Sequence, residues 1–258
     1  MSTPNTMASA SSDEIYALAN TVDKMLDKIE GSFEKEKQFT SDASHELRTP
    51  VAVIMSECEY MEECAKTTDD YKESMDSIKR QAQRMSKLIS ELLTISRMDK
   101  DTIKTNFEDV DMSELVTFVC DEQEEIHEED ISLVRNIGQG IIANADRFLL
   151  TRMFVNLISN AYQYIGEGDR IEVSLSEKEE NIVFSVKDNG IGISEENIPK
   201  IWERFYQADS SRNDSTSMGL GLSMVKWISD AHGGKMEVKS CEGEGSEFIF
   251  TMPKKKAE

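Results

Sequence analysis

The first hundred residues carry apolar side chains at the alternating three- and four-residue spacing of paired helices. The earliest seam consists of Val22, Leu26, Ile29 and Phe33. It continues weakly as far as Leu47, so the pattern predicts one long helix beginning near Asp13. Residues 1–12 have almost no apolar content and are expected to be disordered, or to be a remnant foreign to the native protein.

A second seam follows in the same helix, shifted by one position. It consists of Leu47, Val51, Ile54, Cys58 and Met61. The shift falls at Pro50, whose ring removes the helical hydrogen bond to the carbonyl of Glu46. A change of register and a proline at one point predict a bend.

A turn and N-capping residues at Ala65–Asp70 separate this helix from a second helix with one apolar stripe. The stripe consists of Tyr71, Met75, Ile78, Ala82, Met85, Ile89 and Leu92. Two helices joined by a short turn form an antiparallel hairpin, and one hairpin alone does not bury both stripes. Pairing two hairpins into a four-helix bundle does, so we expect a homodimer.

After a polar linker at 101–107 the pattern changes to alternating strands and amphipathic helices. Helices are predicted after the capping pair Asp111 and Glu114, from Asp146 to Tyr164, and from Gly221 to His232. The predicted strands are Ile131–Asn136, Ile141–Ala143, Ile171–Ser176, Ile182–Lys187, Lys235–Ser240 and Glu247–Met252. The fold class is therefore α+β: a helical hairpin followed by an α/β sandwich, with a mostly antiparallel sheet covered by helices on one face.

Charge and composition exclude several classes of protein. The 258 residues carry a formal charge of −21, which disfavours binding to a nucleic-acid backbone. No run of 18 apolar residues predicts a membrane-spanning helix. The four cysteines lack CxxC spacing, which favours a reduced, cytosolic compartment over a disulfide or zinc framework.

One exposed histidine is a candidate nucleophile. His45 lies two positions from the seam residues Ala43 and Leu47, about 200° around the helix from each, so it should face solvent. The neighbouring Glu46 can accept its second ring proton, and Thr49, one turn on, can bind a water nearby. Taken alone, the spacing is more typical of an ordinary surface histidine beside a surface glutamate.

Candidate phosphate-binding residues follow in the second half of the chain. Asn156 and Asn160 lie one turn apart on a helix, and amide oxygens suit magnesium and phosphate contacts. The segment Asp188–Gly192 offers a carboxylate and glycines that admit a ligand, and Gly219 and Gly221 open a helix with free amide donors. The glycine spacing matches neither the dinucleotide fingerprint nor the Walker loop, and each pattern alone fits a turn or a polar surface.

Taken together and in order, these segments resemble the catalytic core of the bacterial sensor histidine kinases. The matching motifs are FTSDASHELRTP, NLISNAYQY, DNGIGI, WERFY, GLGL and GEGSEF, and the resemblance covers about residues 35–253. It implies the end of a HAMP-like signalling helix at 13–34, a dimerisation and histidine phosphotransfer domain at 35–100, and at 108–258 a catalytic ATP-binding domain of the gyrase–chaperone–histidine kinase type.

The resemblance implies a role for each candidate residue. His45 is the phosphoacceptor, Glu46 its general base, and Thr49 orients water in any phosphatase reaction. The expected cofactors are ATP and Mg²⁺, with Asn160 on the metal, Asn156 near the phosphates and Asp188 on the adenine amine. The remaining residues pack on the base or shape the pocket and a lid between Phe205 and Met218; they are Tyr164, Gly190, Gly192, Gly219 and Gly221.

Three positions depart from the family pattern. Gln163 and Gln207 stand where Lys or Arg is usual, and Ser217-Met218 replaces Gly-Thr. Phosphoryl transfer depends on cations, so the two missing charges are expected to slow it unless Arg204 or Arg212 compensates.

The expected function is an ATP-dependent autokinase that passes its phosphoryl group to the receiver domain of a response regulator, with a phosphatase activity on the same partner. The fragment is expected to be cytoplasmic, and its parent to reach the cell membrane through a missing N-terminal sensor region. A pseudokinase scaffold that binds nucleotide or partners without transfer is the alternative, followed by an ATP-hydrolysing clamp.

Overall fold

The chain forms two compact units, residues 1–87 and 88–258. The computed structural model describes residues 7–99, 105–127, 131–207 and 218–254, with side chains from Asn20 onward except at 28, 29, 31, 32, 35 and 99. Within these ranges no helix is long and apolar enough to cross a membrane.

Two long helices, joined by a short turn, make up the first unit and the start of the second. Helix α1 spans Met7–Glu63 and α2 spans Thr68–Asp99. The helical backbone at residues 7–12 corrects the prediction of disorder there, since this segment contains alanines and neither glycine nor proline. Residues 1–6 lie outside the described residues.

The turn between α1 and α2 is fixed by a reciprocal cap. The Asp70 carboxylate accepts from the backbone N–H of Lys66 and of Thr67, each at 3.0 Å, and the Asp70 N–H donates to the Thr67 hydroxyl at 3.1 Å. These bonds satisfy donors that the start of a helix leaves unpaired. They confirm the predicted N-capping segment.

Helix α1 runs through Pro50 without the predicted shift of register. Pro50 is buried, whereas Val51 is 40% exposed and Cys58 is exposed. The protected face keeps one heptad spacing, through Ala43, Leu47, Pro50, Ile54, Glu57 and Met61. Three of the predicted seam residues, Leu47, Ile54 and Met61, lie on this face, whereas Val51 and Cys58 lie on the exposed face beside it.

The second helix also has two faces rather than the single stripe predicted. Met75 is 64% exposed and Ile89 is 46% exposed, although both belong to the predicted stripe. Ser74 and Leu88, one position earlier in each case, are buried. Each helix therefore presents apolar side chains on its exposed side.

The second unit is built on a five-stranded sheet in the order β2-β4-β5-β7-β6. The strands are β2 (Ser132–Ile137), β4 (Arg170–Lys178), β5 (Asn181–Asp188), β6 (Lys235–Cys241) and β7 (Gly245–Pro253). Only the β2–β4 pair is parallel. A separate antiparallel pair joins β1 (Glu108–Asp111), which was not predicted, to β3 (Ile142–Ala145).

Three helices complete this unit: α3 (Met112–Ile126), α4 (Arg147–Gln163) and α5 (Gly221–Ala231). Asp111 and Asp146 are the N-caps of α3 and α4, as the sequence predicted. The core lies between α4 and the sheet, where Phe154 contacts Phe184 with ring centroids 4.2 Å apart. This packing confirms the predicted α/β sandwich with a mostly antiparallel sheet.

His232 connects the helices at the end of α5. It is 3% exposed, its Nε2 accepts from the Asp146 N–H at 3.1 Å, and its Nδ1 lies 2.8 Å from the Ile228 carbonyl. This pattern requires a neutral ring with its proton on Nδ1. His232 therefore has a structural role at the end of α5.

Candidate active site

A cleft of about 270 Å³ opens between α4, the end of β5 and the turn that joins β6 to β7. Four of the predicted binding residues line it: Asn160, Tyr164, Asp188 and Gly192. Its apolar wall includes Ile191, Ile193, Ile201, Leu222 and Phe248. The cleft therefore combines a flat apolar surface with a few polar groups, as is usual for sites that bind small organic molecules.

Asp188 is the buried acceptor of the cleft. Its Oδ1 accepts from the backbone N–H of Gly190 at 3.0 Å and of Ser246 at 3.2 Å. Burial raises the pKa of Asp188, and these two hydrogen bonds oppose that increase. A carboxylate fixed by two donors, with 6% of the residue exposed, is suited to accept from an amine.

The loop after Asp188 requires glycine because other backbone segments lie against it. A Cβ on Gly190 would lie 2.2 Å from the Tyr164 carbonyl oxygen, and one on Gly192 would lie 2.0 Å from that of Cys241. Gly192 also has a positive φ of 68°. Both glycines thus allow the loop to pack between α4 and the β6–β7 turn.

Of the two predicted amides on α4, only Asn160 lines the cleft. Asn156 lies at the contact between α4 and α5, where a Cβ on Gly221 would meet its Oδ1 at 2.9 Å. Its Nδ2 donates to the Arg152 carbonyl at 2.9 Å. The structure therefore separates this pair: Asn160 lines the cleft, and Asn156 packs against the glycine-rich start of α5.

Gly219, in the second glycine segment, packs against Phe205 and Tyr206. The Phe205 N–H donates to the Gly219 carbonyl at 2.9 Å, and both residues have positive φ angles, 60° and 66°. Tyr206 lines the cleft, and its hydroxyl donates to Asn197 Oδ1 at 2.6 Å. Most of the predicted lid, including Arg212 and Ser217, lies outside the described residues, and Met218 is buried.

The two glutamines that replace expected cations have different environments. Gln207 lines the cleft. Gln163 does not, and in the described part of the chain its Nε2 is buried without a hydrogen-bond partner. Arg204 is half-buried and is not among the residues that line the cleft.

Sequence reasoning missed several polar residues of the cleft, notably Ser194, Asn197, Glu242 and Ser246. Ser194 and Asn197 follow Asp188 in an irregular loop, whereas the pairing of β5, β6 and β7 brings Glu242 and Ser246 to Asp188 from a distant part of the chain. The GEGSEF motif contains Ser246 and ends at Phe248, but no role was assigned to any of its residues.

The histidine on α1 is exposed, as predicted. The adjacent Glu46 is half-buried, and its Oε2 lies 3.7 Å from Arg84 Nη2 on α2. The Thr49 hydroxyl donates to the His45 carbonyl at 3.4 Å. The His45 ring is thus accessible to an incoming group, and the carboxylate of the neighbouring Glu46 lies close to α2.

The donor set of the cleft fits Mg²⁺ held mainly by phosphate and water. Magnesium in nucleotide sites takes only one or two protein oxygens, and the Asn160 amide is one such group. A cluster of three acidic or metal-ligating side chains does not occur among the described residues. Asn160 would therefore hold the ion together with the ligand's own phosphates.

Comparison with known protein families assigns both halves of the chain. Residues 35–101 match the family described as His Kinase A (phospho-acceptor) domain. Residues 145–256 match the family described as Histidine kinase-, DNA gyrase B-, and HSP90-like ATPase.

Individual relatives agree with this assignment. The chain is 34% identical to the sensor histidine kinase YkoH of Bacillus subtilis over 92% of its own length and 52% of that protein. It is 32% identical to the sensor histidine kinase WalK of the same organism, over 86% of its own length and 37% of that protein. The solved complex of histidine kinase ThkA with the response regulator TrrA matches with a TM-score of 0.66 and 25% identity, covering 84% of this chain and 61% of that one.

The chain spans about half or less of the length of these curated relatives. Its phosphoacceptor match contains the exposed His45, and its ATPase match contains the cleft around Asp188. The chain belongs to the bacterial two-component sensor histidine kinases.

Proposed function

We propose that the chain is an ATP-dependent histidine autokinase that transfers the γ-phosphoryl group to His45 and then to an aspartate of a response regulator. The observation that carries this proposal is the pairing of an exposed His45–Glu46 dipeptide in one unit with a cleft that contains a buried acceptor in the other. Neither feature alone specifies phosphoryl transfer, and together they supply its acceptor and its donor site.

In the proposed reaction an unprotonated ring nitrogen of His45 attacks the γ-phosphorus. A nitrogen–phosphorus bond forms, the bond to the bridging oxygen breaks, and ADP leaves with the electron pair. Glu46 accepts the proton from the other ring nitrogen and so stabilises the ring as it becomes positive. Arg84 on α2 lies 3.7 Å from this carboxylate and holds it against the hairpin.

Asp188 and Asn160 bind the nucleotide in this proposal. The Asp188 carboxylate accepts from the adenine amine, Tyr164 packs on the base, and Asn160 takes part in Mg²⁺ binding near the phosphates. Magnesium, when bound, neutralises charge on the phosphates. The glycine-rich start of α5 completes the phosphate side with backbone donors.

The direct test is incubation of the purified chain with ATP labelled at the γ-phosphate. We expect an acid-labile protein adduct that disappears in His45→Gln and is strongly reduced in Glu46→Gln. His127→Gln is the matched control, because this ring stacks on Tyr162 at 4.2 Å within the second unit and has no part in the reaction. Label that persists in His45→Gln contradicts the proposal.

The alternative is a pseudokinase that binds nucleotide without transfer, and the two glutamines at 163 and 207 favour it. It predicts nucleotide binding without labelled protein. Under the autokinase proposal, Gln207→Arg should raise the rate of labelling, because Gln207 lines the cleft and a cation there would neutralise phosphate charge. An ATP-hydrolysing clamp would instead release phosphate steadily while the protein stays unlabelled.

The partners and setting of the whole protein complete the proposal. The ThkA–TrrA complex supports a receiver domain as the phosphoryl acceptor, and Thr49 would orient water in a phosphatase reaction on that partner. The exposed seam residues Val22, Leu26 and Phe33 suit a dimeric HAMP-like helix that links the kinase to a sensor and a membrane anchor. The fragment itself would then act in the cytoplasm.

A further inference from the structure

The hydroxyl of Ser240 joins three segments that surround the buried end of the cleft. It accepts from the Ile193 N–H at 2.7 Å, donates to the Gly245 carbonyl at 2.8 Å and lies 2.9 Å from the Ser246 hydroxyl. Ser240 stands at the end of β6, directly opposite Ser246 on β7. It therefore fixes the glycine loop, the β6–β7 turn and the start of β7 through one oxygen atom.

These contacts determine the group to which the Ser246 hydroxyl donates its hydrogen. A serine hydroxyl has a single hydrogen to donate. Because Ser240 gives its hydrogen to the Gly245 carbonyl, the short contact with Ser246 is satisfied when Ser246 donates to Ser240. The Ser246 oxygen then acts only as an acceptor toward the cleft that it lines.

Ser246 also acts on Asp188 through its backbone. Its N–H donates to Asp188 Oδ1 at 3.2 Å, and both residues are less than 10% exposed. Asp188, when ionised, is an acceptor as well. Two acceptors, the Ser246 oxygen and the Asp188 carboxylate, thus lie at one end of the cleft. The Ser240 hydroxyl makes the Ser246 oxygen an acceptor, and it supports the position of the Asp188 carboxylate.

We propose that Ser240 is a positioning residue that makes this end of the cleft select a purine with a 6-amino group over one with a 6-oxo group. The inference rests on the proposed function, since it assumes that the base lies at Asp188. An amino group can donate to both acceptors, whereas a carbonyl oxygen faces them without a hydrogen. Without Ser240, the Ser246 hydroxyl is free to rotate and donate to a carbonyl.

The test is the ratio of dissociation constants for ITP and ATP, measured by calorimetry on the whole chain with Mg²⁺. We expect Ser240→Ala to lower this ratio roughly 3- to 10-fold, the range for one neutral hydrogen bond. Ser240→Thr keeps the hydroxyl and should restore the ratio. Ser174→Ala, a half-buried serine of β4, is the matched control and should leave the ratio unchanged.

A merely structural role would weaken ATP and ITP equally and leave their ratio intact, which would overturn the inference. If Ser240→Ala does not fold, Ser246→Ala removes the polarised hydroxyl directly and should lower the ratio in the same way. Asp188→Asn distinguishes a failure of the proposed nucleotide site from a failure of the role proposed for Ser240. An unchanged ratio in Asp188→Asn overturns the proposed nucleotide site itself, whereas a changed ratio there beside an unchanged one in Ser240→Ala overturns only the role of Ser240.

Discussion

At the scale of single residues, Asp188 shows how burial and function oppose each other. Burial raises the pKa of its carboxyl group, whereas the acceptor role proposed for it is strongest in the ionised form. Because that pKa is raised in the folded state, the stabilising contribution of Asp188 is fully present below its unfolded pKa of about 3.9 and is lost as the pH rises through the folded value. At neutral pH the ionised side chain therefore costs stability.

Asp188→Asn should remove the destabilising effect of the buried charge, and it should also weaken the binding of ATP. The asparagine oxygen can still accept from Gly190 and Ser246, but its amide presents hydrogens to the adenine amine. We expect ATP affinity to fall roughly 10- to 150-fold, as for loss of a hydrogen bond to a charged group. We expect Tm to rise relative to the native chain, with the difference growing from about pH 4 to pH 7. A variant less stable than the native chain at pH 7 would contradict this account.

At the scale of secondary-structure elements, the N-caps of α3 and α4 differ in the number of bonds that depend on them. The half-buried Asp111 carboxylate accepts from the Glu114 N–H and, among the described residues, from no other donor. Asp146 is 6% exposed and accepts from the N–H groups of Leu149 and Asn106, at 3.0 and 2.8 Å. The second cap thus also anchors the segment that leads into β1.

Replacing these caps should therefore have unequal effects. We expect Asp146→Ala to lower the free energy of unfolding by about 2 to 4 kcal/mol, because it removes a cap and leaves a buried donor unpaired. Asp111→Ala should cost only about 1 kcal/mol. Urea denaturation of both variants measures the difference, and equal losses would show that burial of the cap does not matter.

The proline in α1 is a second feature at this scale. Pro50 is buried on the protected face, one turn after Glu46, whose carbonyl it leaves without the usual helical donor. We propose that this weak point lets the helix alternate between kinase and phosphatase arrangements. Pro50→Ala should change the ratio of the two activities, assayed with a receiver domain, and an unchanged ratio would refute the proposal.

At the scale of the whole molecule, the exposed apolar side chains of α1 and α2 support a second copy of the chain as partner. Met55 and Met75 are 58% and 64% exposed, and Val51 and Tyr71 are exposed beside them on their helices. Contiguous apolar surface of this kind marks protein interfaces. We propose the four-helix bundle of a homodimer as the assembly that buries it.

A double variant tests this assembly. Met55→Glu with Met75→Glu should convert the dimer to a monomer in analytical ultracentrifugation, because four carboxylates would have to be buried in the bundle. Lys72→Glu changes the charge at an exposed position of the same helix and should remain dimeric. A double variant that stays dimeric would show that another surface pairs the chains.

How far the sequence predicts this molecule depends on the range of the interactions involved. Local signals located the caps at Asp111 and Asp146 and the strands around Asp188, because capping and alternation involve neighbours in the chain. The heptad pattern could not distinguish the buried Pro50 face of α1 from the exposed Val51 face, since both carry apolar residues. The role of Ser240 could not be predicted, because its hydrogen bonds to Ile193 and Gly245 and its contact with Ser246 depend on the tertiary fold.

The most direct test of the central claim is to map the phosphorylated residue by tandem mass spectrometry after incubation with ATP and Mg²⁺, under conditions that preserve phosphohistidine. The proposed autokinase reaction requires the modification on His45, the ring that the helix exposes beside Glu46. A phosphoryl group found instead on Ser44, Thr49 or His127, or none on a chain that binds ATP, would contradict it.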